Sequence, residues 1–280
     1  FWFGASARDL LREGNKTVGV MVKKGNDEIA VRSRVTVGAD GRTSRTRHLG
    51  GFEMAFEQYD FDLLWFSLPR PAGFEHTVQL MFTGERPYII APKYPNLIQC
   101  GLLTEPGQFA DFKKAGIDSL KSILMAGPSE FQEFAKGLKD LTPFFPLQAR
   151  ISQVKNWSKD GLLLIGDAAH TCSPIGAVGV SVALATAAVA ADIIPQALSL
   201  NDTSAAMLSE VQQLRQADVD QLQAIQRQLS GRLMASRHWM RALMPLLFSV
   251  AAQLGILAVV PRKLATYEGA YPISAKLRFD

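Results

Sequence analysis

The stretch from Leu162 to Ile194 has the residue types and order of an anion-binding loop at the start of a helix. An uninterrupted apolar run, Leu162 to Ile165, predicts a buried strand. Small, helix-forming residues from Val180 onward predict the helix. The turn between them is shaped by Gly166, Asp167, Pro174, Gly176 and Gly179. Unpaired N–H groups, a helix dipole and glycines that admit a ligand together favour binding of a negative group.

A second candidate site lies about 125 residues upstream, at Asp40-Gly41. This pair is a turn signal at the end of a strand-like run. Ser44 and Arg47 follow four and seven residues after Asp40, so they share one face if a helix begins there. The planar fork of arginine suits phosphate because it donates two parallel hydrogen bonds.

The two stretches together resemble the flavin-binding motifs of the single-component FAD-dependent monooxygenases of the aromatic-hydroxylase type. Gly-Asp-Ala-Ala-His at 166–170, followed by Pro174, Gly176 and Gly179, is similar to the second flavin motif of that family, and Asp40 to Arg47 is similar to its Asp-Gly motif. The resemblance implies that FAD is contacted by Asp40, Gly41, Ser44, Arg47, Gly166, Asp167, Pro174, Gly176, Gly179, Val180 and Ser181.

The resemblance also implies the chemistry. NADH or NADPH reduces FAD, and O₂ then supplies the oxygen atom that hydroxylates or epoxidises an apolar, aromatic or polycyclic small molecule. Asp167 is expected to hydrogen-bond the ribityl chain, and the Asp40 turn to contact the pyrophosphate region. The sequence identifies no catalytic side chain, and we interpret His170 as a structural residue of the motif.

Several features depart from the family pattern. No Gly-x-Gly-x-x-Gly occurs in the chain, which resembles the C-terminal two-thirds of a member and is expected to bind FAD weakly or not at all. Gly176-Ala177 replaces Gly-Gly, and Ser181 and Thr186 replace the usual Asn and Asp. These departures leave open an inactive or truncated relative without cofactor. A flavin reductase or dehydrogenase on the same fold is a further alternative.

The elements that must position these residues predict a mixed α/β (α+β) fold. An incomplete FAD-binding, Rossmann-like layer is expected to carry both motifs, joined by an antiparallel substrate sheet with strands near 61–68, 77–82, 88–92 and 97–103. Helices are expected over 109–125 and 129–138. The candidate substrate pocket comprises Trp65, Leu80, Phe82 and Ile90, although core packing is the commoner role of such residues.

We expect four segments along the chain. Residues 1–54 and 151–200 belong to the FAD-binding part, 55–150 to the substrate part, and 201–280 to a C-terminal helical region that starts with one long amphipathic helix. Residues 242–260 carry no charge over 19 positions, which makes this segment a candidate for peripheral membrane contact or for an oligomer interface.

Composition excludes several classes of function. A net charge of +4 is spread along 280 residues without the clustered basic stripe of a nucleic-acid-binding protein. The two cysteines and four histidines have no metal-site spacing. We expect a cytoplasmic setting, with membrane association left open by the apolar segment.

Overall fold

The computed structural model describes residues 1–75, 77–83, 86–174 and 177–233. Within them the chain divides into two compact units. Residues 1–57 and 150–229 form the first unit, and residues 58–149 form the second. Helices and antiparallel sheets occur in both, as the mixed fold class predicts. The apolar segment 242–260 lies outside the described residues.

The first unit begins with an antiparallel three-stranded sheet. Its strands are β1 (Ala5–Glu13), β2 (Lys16–Lys24) and β3 (Asp27–Arg32), in that order. Two-residue turns join them, with Gly14 and Gly25 at φ 59° and 62°, a left-handed conformation that glycine adopts without strain. The strand-like run that precedes Asp40-Gly41 is divided between two sheets. The chain leaves this sheet after β3 and enters another as β4 (Thr36–Gly38).

The two motifs meet on a parallel strand pair. The predicted run forms β11 (Leu162–Leu164), which pairs with β4 so that Gly38 lies opposite Leu164. On its other side β11 pairs with β10 (Ser158–Lys159). All three leucines of β11 are at most 1% exposed, as a continuously apolar strand requires. The two loops therefore start from the ends of adjacent parallel strands.

The loop after β11 leads into helices that cover this pair. A 3₁₀ turn at Gly166–Ala168 and β12 (His170–Thr171) precede the predicted helix α5 (Gly179–Ser199). Helix α5 is long and apolar enough to cross a membrane by length and composition alone, but its Val182, Val189 and Ile193 lie in the core with Leu163 and Leu164.

The predicted long C-terminal helix is divided. Ser204 caps α6 (Ala205–Leu208) by accepting a hydrogen bond from the Met207 N–H, and α7 (Glu210–Leu233) starts at an acidic residue. Met207 therefore belongs to α6, separate from the long helix α7.

The second unit is an antiparallel sheet covered by helices on one face. Its strands β5 (Met54–Pro69), β8 (Leu97–Thr104), β7 (Arg86–Lys93) and β6 (Gln79–Thr83) lie in that order, and β5 and β9 (Phe145–Val154) continue into the first unit. The helices are α2 (Gln108–Ala115), α3 (Ile117–Met125) and α4 (Ser129–Gly137). The pattern over 109–125 predicted one helix, but Gly116 at φ 81° separates two.

Candidate functional site

The Asp40 turn is built by hydrogen bonds to its own carboxylate. Asp40 accepts from the Ser44 hydroxyl through Oδ1 and from the Thr46 backbone N–H, at 2.8 Å, through Oδ2. Ser44 also caps the short helix α1 (Arg45–Leu49), since its Oγ accepts from the Arg47 N–H at 2.9 Å. Burial raises the pKa of Asp40, but these hydrogen bonds outweigh it and lower the pKa below its ordinary value. The carboxylate is therefore held ionised in the turn.

Arg47 connects the two motifs. Its guanidinium donates to the Ala168 carbonyl at 3.0 Å and to the Arg42 carbonyl at 2.8 Å, and the residue is 9% exposed. Ala168 immediately follows Asp167, so Arg47 fixes the Asp40 turn against the loop after β11. Two of its guanidinium nitrogens thus hold protein carbonyls, which makes Arg47 a positioning residue in this structure.

Asp167 provides an acceptor that the described part of the chain does not use. Gly166 precedes it at φ 58°, and a Cβ at Gly166 would lie 3.1 Å from the Ala183 Cβ, so a side chain there is doubly disfavoured. Burial raises the pKa of Asp167, opposed by the Arg42 guanidinium, and no hydrogen bond from the described residues reaches its carboxylate. A half-buried carboxylate of this kind suits the hydroxyl of a ligand.

Within the described residues, the N-terminus of α5 presents backbone N–H groups without a partner. Val178 precedes the helix without a side-chain cap, and no acidic residue occupies the first turn. Gly179, Val180 and Ser181 form that turn, with Val180 73% exposed. The unpaired N–H groups and the helix dipole favour a negative group at this end.

The turn that leads to α5 holds a strained residue. Pro174 opens it by accepting from the Ala177 N–H at 3.1 Å, while Gly176 lies outside the described residues. Ala177 has φ 53°, a left-handed conformation that costs a non-glycine residue roughly 1–2 kcal/mol. The resemblance implies glycine at this position, so the departure retains the loop conformation at a cost in stability.

His170 faces the protein core. It is 1% exposed, its ring centroid lies 4.6 Å from that of Trp157, and its Nε2 lies 3.0 Å from the Thr186 Oγ1. Thr186 donates its own proton to the Val182 carbonyl at 3.1 Å, so its oxygen accepts from the Nε2–H of His170. Burial lowers the pKa of His170 to about 4. These contacts support a structural role.

Thr186, which replaces the usual Asp of the family pattern, lies in the core. It is 0% exposed and pairs with His170. A threonine here satisfies a buried imidazole, so this departure from the family pattern has a packing reason.

Sequence reasoning missed the residues of α7 that hydrogen-bond the backbone of the loop before α5. Gln226 of α7 accepts from the Ser173 N–H at 3.0 Å and donates to its carbonyl at 3.1 Å, and Gln223 donates to the Thr171 carbonyl at 3.2 Å. Gln223 and Gln226 are 2% and 0% exposed, although glutamine normally lies on the solvent face of an amphipathic helix. Their spacing of three along the helix is the only signal that the sequence offered.

The four candidate pocket residues do not form one cluster among the described side chains. Ile90 is 4% exposed and packs in the core between the sheet and the helices. Trp65 is half-buried and points to the opposite face, because it pairs with Gly101 while Ile90 pairs with Cys100. Leu80 and Phe82 pair with Ile89 and Pro87, and their side chains lie outside the described part of the chain.

Comparisons with known proteins agree with the geometry. Residues 130–221 match the model of an FAD binding domain. The chain is 31% identical to 6-methylpretetramide 4-monooxygenase of Streptomyces rimosus over 83% of its own length and 56% of that protein. It is 24% identical to 3-demethoxyubiquinol 3-hydroxylase of Escherichia coli (strain K12), over 67% of its own length and 48% of that protein. The chain thus spans about half the length of these relatives.

A solved structure shows the same fold. Tetracycline destructase Tet(51) superposes with a TM-score of 0.68 at 18% identity, covering 96% of this chain and 70% of that one. Together with the two motifs that Arg47 links, these matches show that the chain is similar to the FAD-dependent monooxygenases.

Proposed function

We propose that the chain belongs to an enzyme that binds FAD and uses NADH or NADPH and O₂ to hydroxylate or epoxidise an apolar small molecule. The observation that carries the proposal is the Asp167 carboxylate, which accepts no hydrogen bond from the described residues, together with the start of α5, which has no side-chain cap; Arg47 ties the Asp167 loop to the Asp40 turn. Bound FAD would supply the electron transfer and oxygen activation that side chains do not provide.

The residues have distinct tasks in this proposal. Asp167 accepts a hydrogen bond from a ribityl hydroxyl, and Gly166 lets the ligand approach the backbone. The N–H groups of Gly179, Val180 and Ser181 stabilise negative charge on the pyrimidine edge of the flavin. Pro174 and Gly176 shape the loop between these two groups.

The Asp40 turn serves the pyrophosphate side. Asp40 and Ser44 set the start of α1, and Gly41, at φ 79°, turns the chain there. Arg47 holds the turn in place, and its other N–H groups would donate to phosphate oxygens. In this proposal, segments 1–54 and 151–200 bind FAD and segment 55–150 binds the substrate. Segment 201–280 supports them as a helical region.

The setting follows from the chemistry. A cytoplasmic location gives access to the nicotinamide donor. Residues 242–260 remain our candidate for membrane contact or an oligomer interface, on sequence grounds alone. The Asp167 site and the sheet of the second unit call for small-molecule partners and no nucleic acid.

Equilibrium dialysis of the purified chain against FAD tests the site. We expect weak binding that Asp167→Asn reduces about fivefold or more, because one charge-assisted hydrogen bond is worth roughly 1–3 kcal/mol. Asp111→Asn, on the exposed face of α2, is the matched control. Equal FAD affinity in wild type and Asp167→Asn would refute the assignment. Product analysis after incubation with NADPH distinguishes oxygen insertion from simple reduction of the substrate.

A further inference from the structure

The sheet of the second unit has one face that α2–α4 do not cover. Side chains alternate between faces, and the register places Leu64, Phe66, Ile90, Cys100 and Leu102 on the helix side, where they form the core. The alternate positions point the other way. They include Trp65, Ser67, Ile89, Gln99 and Gly101.

Trp65 lies flat on this second face. A Cβ placed on Gly101 would lie 2.7 Å from Cζ3 and 2.9 Å from both Cε3 and Cη2 of the indole. Three consecutive ring carbons at nearly equal distance mean that the ring presents its face, not its edge, to the strand. Glycine is required at 101 because any side chain would displace the ring. The opposite face of the half-buried indole is directed away from the sheet.

Hydrogen-bond donors lie beside Trp65 along the strand. Ser67 Oγ donates to the Gln99 Oε1 at 3.1 Å and accepts from the Lys93 ammonium at 3.0 Å. The acceptor oxygen of Gln99 is therefore used, while its amide N–H groups and two protons of Lys93 have no acceptor among the described residues and remain as donors. The Ser67 pair lies two residues from the Trp65 pair, about 7 Å along the strand.

The face carries no opposing negative charge. At its described positions on β5, β7 and β8 between Leu63 and Ser67, Ile89 and Lys93, and Leu97 and Leu103, no residue is acidic. An aromatic plane next to a cation and amide donors is complementary to a flat molecule with an electron-rich oxygen at one end.

We propose that Trp65 determines substrate specificity by stacking a planar fused-ring compound whose anionic oxygen lies against Lys93 and Gln99. The inference rests on the proposed function and names its substrate class. A single six-membered ring centred on Trp65 is too short to place its own oxygen at the Ser67 pair, whereas two or three fused rings span that distance. The selectivity is therefore for fused rings over single rings.

Calorimetric titration of the full chain, without nicotinamide, tests the site with defined probes. Anthraquinone-2-carboxylate is the fused anionic probe, benzoate is the single-ring anion, and anthraquinone is the uncharged probe. We expect the fused anion to bind at least tenfold more tightly than benzoate. Trp65→Leu should reduce its affinity about tenfold, the size of one lost stacking contact.

Two further variants separate the parts of the site. Gly101→Ala keeps the indole but displaces it, and should reduce affinity for both fused probes. Lys93→Met should weaken the anionic probe and leave the uncharged one unchanged. Lys114→Met, at a lysine whose side chain is 82% exposed on α2, is the control. Circular dichroism checks that each variant is folded, and Trp65→Phe replaces Trp65→Leu if the latter unfolds.

Two results would overturn the inference: unchanged affinity for the fused anion in Trp65→Leu and Gly101→Ala, or benzoate binding as tightly as the fused anion. FAD binding measured on the same variants keeps the two proposals apart. Trp65→Leu should leave FAD affinity intact, while Asp167→Asn should leave probe affinity intact.

Discussion

Acid should destabilise the first unit through His170. The folded protein holds this imidazole neutral, with a pKa lowered from 6.5 to about 4 by burial, reinforced by the Arg215 guanidinium. The unfolded chain therefore binds more protons than the folded one between these two values. Stability from the neutral ring is fully present above pH 6.5 and falls as pH drops toward 4. At about 1.4 kcal/mol for each pH unit, the complete loss is about 3 kcal/mol.

The contacts explain why the proton is excluded. Arg215 forms a buried ion pair with Asp218, both 4% exposed, and a charged imidazole would add a second cation beside it. Protonation at Nδ1 would also create a buried N–H, and among the described residues that atom has no hydrogen-bond partner. The free energy that opposes protonation in the folded state is the free energy that acid removes from folding.

Urea unfolding followed by circular dichroism at pH 7 and 4.5 measures the effect. Wild type should lose about 2–3 kcal/mol more than His170→Asn over this interval, since asparagine does not titrate. Asp40, with its lowered pKa, stabilises the folded protein at neutral pH, and most of this stability is lost only at more acid pH. Asp167 has a raised pKa, so its protonation stabilises the folded state as pH falls, and it does so in both proteins. Both cancel in the comparison. An equal pH dependence in the two proteins would refute the reasoning.

Three substitutions test the scaffold of the site by the same unfolding assay. A lysine at position 47 cannot hold the Ala168 and Arg42 carbonyls with one planar group, so Arg47→Lys should lower the free energy of unfolding by about 1–3 kcal/mol. Unchanged stability would contradict the positioning role of Arg47. Lys159→Met removes donors to the Gly50 and Gly51 carbonyls at 2.7 and 2.9 Å and should cost about 1 kcal/mol, which a comparison with Lys114→Met isolates. Ala177→Gly relieves a left-handed residue and should add roughly 0.5–1 kcal/mol, and a loss instead would show that the strain is compensated elsewhere.

Sequence reasoning predicted the parts of the structure that local pattern determines. The apolar run at Leu162 forms the buried strand β11, and the small residues after Gly179 form α5. Both motifs were expected in one layer, and Arg47 of the first motif reaches the Ala168 carbonyl next to Asp167 of the second. These features follow from the period of apolar residues and from turn chemistry, which act over a few neighbours.

The remaining features depend on contacts between distant segments. From the sequence alone, Gln226 is expected to face solvent, but in the structure it hydrogen-bonds the Ser173 loop. Thr186 is a departure from the family pattern in the sequence, and its hydrogen bond to His170 explains it. Ile90 and Trp65 are both large and apolar, yet the strand register sends them to opposite faces. A register is fixed by pairing partners, which the local sequence does not specify.

The parallel pairing of β4 with β11 also has a consequence for how the polypeptide folds. Gly38 cannot pair until Leu164 is in place, and the chain between them includes residues 58–149 of the second unit. Closing so long a loop carries a large entropic cost, and contacts of high sequence separation form slowly. The second unit, a continuous stretch with hairpin-connected strands, can fold first and bring the two ends together. Its early folding would shorten the search for the strand pair that carries both flavin loops, so during synthesis the site would assemble last.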